Sequence, residues 1–148
     1  MTGRQYGLIE KYMMDDAEMA IIIIGSSAGT AKQAILELRA RGQKGGPHQI
    51  RSSARSRRGD RRALKDVKAF AAMDKDDSFN AHCGPIFAEA AAALYAAGVS
   101  APKGINYIYG LGGRDVRVES IQHVFAELEK ISGSGDTGDT YRYLDVRE

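Results

Sequence analysis

The stretch "EMAIIIIGSSAGTAKQAILELRARG" constrains the fold more than any other part of the chain. Four β-branched residues, Ile21–Ile24, stand in a row behind Met19 and Ala20 and stop at Gly25. Such side chains are stiff and favour extended backbone. A short unbroken apolar run has no polar face to show to water, so a strand here is buried on both sides, as in a parallel sheet. Gly25 to Thr30, "GSSAGT", supplies a turn and hydroxyl caps. From Ala31 to Arg41, the residues Ala34, Ile35 and Leu38 recur at helical spacing. Arg39 and Arg41 suit the C-terminal dipole of that helix, and Gly42 ends it.

The strand–helix unit recurs. Lys68–Met73, "KAFAAM", predicts a strand ending at Asp74. A loop follows, then a helix from about Pro85 to Ala97, with proline in its first turn and Gly98 behind it. Leu94 and Tyr95 read as core residues of that helix. Ile105–Tyr109, "INYIY", predicts a strand that breaks into "GLGGRD". A helix from about Val118 to Ile131 carries Ile121, Val124, Phe125 and Leu128 on one face. One more strand is expected between Gly46 and about Ser53. The alternation predicts an α/β fold, a three-layer sandwich with a mostly parallel sheet of four or five strands. Residues 1–18 are polar and mixed. Residues 132–140, "SGSGDTGDT", hold no apolar residue, so 132–148 reads as a flexible linker and short tail.

The 148 residues suit one domain. No apolar run approaches the ~20 residues of a membrane span. The N-terminal stretch lacks an apolar signal core, and the expected location is the cytoplasm. The single Cys83 excludes an intrachain disulfide and suits a reducing compartment. One thiol does not hold an iron–sulfur cluster, and His48, His82 and His123 lack zinc-site spacing. The net charge of +2 is uneven: residues 51–62 hold six arginines and one aspartate, and the remaining 15 basic and 18 acidic residues sum to −3. Nucleic-acid binders spread basic charge over a face built from several elements, so a nucleic-acid role through Arg51–Arg62 ranks last.

Three stretches invite a ligand. "GSSAGT" follows a buried strand, where backbone N–H groups attract anions. It matches neither common phosphate-loop pattern, and an ordinary tight turn accounts for it better. "GLGGRD" also lies at a strand's carboxyl end, where open α/β sheets bind ligands. Its three glycines exceed what a simple turn requires, which sets a ligand site level with a glycine-rich turn and a structural Arg114–Asp115 pair. "DKDDSF" gathers Asp74, Asp76 and Asp77, a possible magnesium or proton-transfer group, but it reads better as an exposed acidic loop. His82 and Cys83 read as neighbours rather than a reactive pair.

Taken together, "GRQYGLIEKYMMDDAEMAIIIIGSSAGTAKQAILELRARGQK", "AMDKDDSFNAHCGPIFAEAAAALY" and "YIYGLGGRDV" resemble core domain II of the pyruvate:ferredoxin oxidoreductases, more broadly the 2-oxoacid:ferredoxin oxidoreductases. The resemblance spans about residues 3 to 131. It implies a sandwich like the C-terminal domain of transketolase, ending an alpha chain, with 1–131 as the domain and 132–148 as linker and tail. Such enzymes convert pyruvate, coenzyme A and oxidised ferredoxin to acetyl-CoA, carbon dioxide and reduced ferredoxin, as pyruvate synthases. They use thiamine diphosphate, magnesium, 4Fe–4S clusters and coenzyme A, all held mostly by other domains. The resemblance therefore implies a structural role, with no catalytic residue, no metal and no cofactor bound by this chain alone. Implied partners are the thiamine-binding domain I and the beta, gamma and delta chains, with ferredoxin reached indirectly. Gly25, Ser26, Gly29, Thr30, Asp74, Ser78, Gly110, Gly112, Gly113, Arg114 and Asp115 stand at family-like positions as candidates for ligand or interface contact. The chain also starts where a preceding domain would end, as a detached C-terminal fragment would. The rival reading is a stand-alone α/β module that binds a nucleotide or coenzyme A.

One departure is sharp. Where the family reads Ile-Arg and shortly afterwards Arg-Pro-Phe-Pro, this chain gives "IRSSARSRR" from Ile50. Arg51–Arg58 can be encoded CGG TCA TCC GCC CGT TCC CGG CGN, and reading from the third base gives V-I-R-P-F-P-A. A local double frameshift between about Arg51 and Arg62 explains the arginine run and would leave the strand near Gly46–Ser53 unformed. Sequencing the gene is expected to return those codons; codons that yield no Arg-Pro-Phe-Pro in either alternative frame refute the frameshift.

Overall fold

The computed structural model describes residues 9–42, 45–50, 64–79 and 81–146, with residues 9 and 45–50 described by backbone alone. Among the described residues six strands form one sheet: β1 (Ile9–Lys11), β2 (Met19–Ile24), β3 (Gly45–Ile50), β4 (Ala69–Asp74), β5 (Lys103–Ile108) and β6 (Tyr141–Tyr143). Their spatial order is β1-β3-β2-β4-β5-β6. Every pairing is parallel except β1 with β3. Among the described residues three long helices cover the sheet: α1 (Ser27–Ala40), α2 (Pro85–Ala96) and α3 (Val118–Ser134).

The two-sided burial expected of the isoleucine run is realised. β2 lies between β3 and β4, and Ala20 to Ile23 are all buried. Alternate side chains feed two separate cores. Met19, Ile21 and Ile23 join Ala69, Ala71 and Met73 of β4 and Ile105 and Tyr107 of β5 beneath α1 and α3. Ala20 and Ile22 join Phe70, Ala72, Ala90 and Leu94 beneath α2. This is a three-layer α/β sandwich. α1 meets the first core with Ala28, Ala31, Ala34, Ile35 and Leu38. α3 meets it with Ile121, Val124, Phe125, Leu128 and Ile131. In the second core the rings of Phe70 and Phe87 stack with centroids 5.9 Å apart. Gly104 makes room for them, since a Cβ there would stand 2.5 Å from the Phe70 ring.

Several expectations are corrected. The sheet has six strands rather than four or five, because short strands join at both edges. α1 begins at Ser27, a turn earlier than Ala31, since Ser26 already has helical dihedrals (φ −64°, ψ −28°). β3 does form, with register to β2 along its whole length and to β1. Arg51–Arg62 lies outside the described residues. Tyr95 is 88% exposed while Leu94 is buried, because Ala90, Ala93 and Leu94 face the sheet and the next residue points away from it.

The described residues 132–146 hold regular structure, although their composition suggested a flexible linker and tail. α3 continues to Ser134, and Gly135 caps it with a left-handed φ of 74°. Asp136 and Asp139 then accept backbone N–H groups of Gly138 and Tyr141 and shape the turn. β6 pairs in parallel with β5, and Leu144 is buried in the first core. Arg142 reaches the Tyr107 hydroxyl, Glu127 at 3.1 Å and the carbonyls of Thr137 and Asp139. Asp77, in the loop after β4, accepts the hydroxyls of Tyr141 and Tyr143, and these bonds hold its carboxyl below the usual range. Leu144→Ala is expected to cost about 2–4 kcal/mol, as buried leucine truncations do. Urea denaturation measures it, and a loss below about 0.5 kcal/mol would mean that the C-terminal segment does not belong to the core.

Candidate functional site

Chain order along the sheet reverses between β2 and β4, since β3 follows β2 on one side and β4 lies on the other. In open α/β sheets the crevice at the carboxyl ends of two such strands is the usual ligand position. Two of the predicted stretches come together there. Gly25 turns the chain out of β2 with φ of 80°, and Ser26 is exposed with no side-chain cap bond. Ser27 points inward and bonds Tyr109, whose hydroxyl pKa is raised mainly by burial and further by Asp74. Gly29 is exposed on α1, and a Cβ there would meet nothing within 4 Å. Thr30 is half-buried behind it.

Asp74 ends β4 on the other side of the crevice and is only 1% exposed. Its Oδ1 accepts the Ile86 N–H at 2.8 Å, and its Oδ2 accepts the Phe87 N–H at 3.4 Å and the Asn106 amide at 2.8 Å. The carboxylate thus caps α2, occupying donors that a helix start leaves without partners. Asn106, wholly buried on β5, also donates to the Ala72 carbonyl at 3.0 Å and accepts the Gly84 N–H at 2.5 Å. Gly84 allows this closeness, because a Cβ there would overlap the Asp74 carboxyl group. Burial raises the Asp74 pKa, although the bonds from Ile86, Asn106 and Phe87 oppose it. Sequence reasoning missed Asn106 and Gly84; the signal was a lone amide inside an otherwise apolar strand.

The acidic stretch is split. Asp74 is inside, whereas Asp76 and Asp77 are exposed and Asp77 serves β6. Ser78 is half-buried and its backbone N–H bonds Asp77. Among the described residues no three His, Cys, Asp or Glu side chains gather as metal ligands. Burial pushes the half-buried Cys83 thiol pKa up, which opposes a reactive thiolate. The single Cys83 does not supply the thiolates that an iron–sulfur cluster needs.

"GLGGRD" lies further along the same edge, at the end of β5. Gly110, Gly112 and Gly113 all have left-handed φ, at 69°, 68° and 77°, so the turn itself accounts for all three. Lys75, next to Asp74, packs its Cε 3.4 Å from the position of a Gly110 Cβ, and its ammonium lies 5.4 Å from the centre of the Tyr109 ring. Arg114 does not pair with Asp115 among the described residues; its guanidinium donates to the Asp145 carbonyl beyond β6. Arg114, Asp115, Arg117, Asp145 and Val146 line a depression of about 510 Å³.

Asp74→Ala is expected to cost about 1–3 kcal/mol by leaving buried donors without an acceptor. The penalty depends on pH. Because the folded pKa is raised, the native state holds this proton more tightly than the unfolded chain. Stability from Asp74 is then full below the unfolded value near 3.8 and declines as pH rises through the raised folded value. The gap between wild type and variant should be widest in acid and narrow with rising pH. Denaturation curves across that range test this, and a gap that widens with pH refutes it.

A profile for pyruvate:ferredoxin oxidoreductase core domain II matches residues 17–121. The pyruvate synthase subunit PorA of Methanosarcina barkeri is 37% identical over 148 residues, covering 99% of this chain and 36% of that protein. The alpha subunit of the NADH-dependent phenylglyoxylate dehydrogenase of Aromatoleum evansii is 37% identical over 131 residues, 87% of this chain and 31% of that one. The chain thus spans about a third of the length of these relatives. A structure of 2-oxoglutarate:ferredoxin oxidoreductase from Magnetococcus marinus, with 2-oxoglutarate, coenzyme A and succinyl-CoA bound, matches 82% of this chain and 20% of its own. The TM-score is 0.58 at 18% identity, a likeness of fold. By the profile match and by its relatives, the chain belongs to the pyruvate:ferredoxin oxidoreductase core domain II family.

Proposed function

We propose that the chain is a structural domain of a 2-oxoacid:ferredoxin oxidoreductase alpha subunit, acting in the conversion of pyruvate and coenzyme A to acetyl-CoA. It works beside a thiamine-binding domain and iron–sulfur subunits in the cytoplasm, and it supplies surface rather than reacting groups. The outer side of α2 carries this reading. "PIFAEAAAALYA" has one charged residue in twelve, Glu89, and its outward side presents Ala92, Tyr95 and Ala96. Helices that are apolar all round are covered in a finished assembly. The outward sides of α1 and α3 differ, carrying Gln33, Glu119, Glu129 and Lys130. Gly25, Ser26, Gly29, Thr30, Ser78, Gly110, Gly112, Gly113, Arg114 and Asp115 contribute turns along the carboxyl edge for neighbouring domains to meet, and Asp74 fixes that edge from within.

Two measurements test the proposal. The purified chain, given pyruvate and coenzyme A, should reduce neither ferredoxin nor a dye; turnover by the chain alone refutes a purely structural role. Co-expressed with the part of the Methanosarcina barkeri subunit outside the match, it should co-purify, and Tyr95→Glu should break the complex while leaving stability within about 0.5 kcal/mol. A complex indifferent to Tyr95→Glu removes α2 from the interface.

A further inference from the structure

We propose that the depression at the carboxyl ends of β5 and β6 binds a phosphate group between Arg114 and Arg117. Its volume of about 510 Å³ falls within the span of small-molecule clefts, about 300–1,000 Å³. Arg114 and Arg117 line it together with Asp115 and Asp145, and no ion pair joins any of the four among the described residues.

The four charges are not equivalent. Asp145 is a wall. Its carboxylate accepts the Ser120 hydroxyl at 2.5 Å, its carbonyl accepts Nη1 of Arg114, and its backbone is left-handed with φ of 57°. Arg114 is therefore anchored through one nitrogen and keeps Nη2 and Nε for another partner. The Arg117 guanidinium makes no hydrogen bond or ion pair among the described residues. Two guanidinium forks on one cleft are an arrangement for an oxyanion, because each fork offers parallel N–H donors. A phosphate monoester has three terminal oxygens and can engage both forks at once; a carboxylate, with two, fills one. That difference selects a phosphate group, as carried by a nucleotide or a phosphorylated small molecule. Asp115 on the rim opposes any anion and places inorganic phosphate alone in the millimolar range. The site does not depend on the chain joining a larger enzyme, so its failure and the failure of the structural reading are separate results.

The test is a nuclear magnetic resonance titration of the isotope-labelled full chain with sodium phosphate at pH 7.5, with ionic strength held constant by chloride. Saturable amide shifts are expected over Arg114–Ser120 and at Asp145. Arg117→Met should weaken binding about tenfold, the loss of one charge-assisted contact. The Arg117 side chain makes no hydrogen bond or ion pair among the described residues and is exposed, so this variant should keep the fold, and an unchanged spectrum away from the site verifies it. Lys103→Met makes the same charge change at the amino end of β5, away from the carboxyl ends that form the site, and should leave binding unaltered. Sodium acetate should bind about tenfold more weakly than phosphate. Absence of saturable shifts, equal weakening by Lys103→Met and Arg117→Met, or acetate binding as tight as phosphate each overturns the proposal.

Discussion

Everything in this chain is arranged around a strand that has no solvent side. Ala20, Ile21, Ile22 and Ile23 are buried without exception, so β2 demands strands on both flanks and helices above and below. Each fully buried isoleucine is worth about 1.5–3 kcal/mol relative to exposure, and the gain is realised only when both layers are in place. Parallel neighbours then follow, because each return to the sheet crosses one of its faces. The carboxyl ends of β2, β4 and β5 are thereby collected at one edge, and the turns that matter are neighbours in space although they lie far apart in sequence.

That edge is held by polar groups inside an apolar frame. Asp74 and Asn106 are among the few buried polar residues, and each satisfies several backbone groups at once. A buried carboxylate is tolerated when its acceptors are used, and here a helix start uses them. The cluster fixes where α2 begins relative to β4 and β5, and through Tyr109 and Lys75 it adjoins both glycine-bearing turns. Among the described residues, this internal polarity positions that edge.

Elements whose residues carry one unmistakable period were legible in the sequence. Ile21–Ile24, the α1 stripe of Ala34, Ile35 and Leu38, and the α3 stripe of Ile121, Val124, Phe125 and Leu128 fell where expected. α2 was located correctly, but its faces were not: with apolar residues all round, periodicity has no contrast, and Tyr95 was assigned inward. β6 escaped because a three-residue strand has too little pattern of its own, and its stability comes from Arg142, Asp77 and the Leu144 contact, which are tertiary. Asn106 and Gly84 were invisible for a related reason, since their meaning lies in partners 22 and 32 residues away. The candidate turns were found as motifs; which of them share a crevice depended on strand order, and local sequence does not contain it.

The outermost strands, β1 and β6, are each three residues long. A sheet edge is a template on which another chain can add itself, and length is what makes the template effective. Here the long inner strands end in two brief ones, the first antiparallel and the last closed over by tyrosines bonded to Asp77. Edge-to-edge growth is therefore discouraged at both sides of the sheet. Among the described residues, the helical layers and the carboxyl edge remain as the faces a neighbouring protein could meet without a strand to extend.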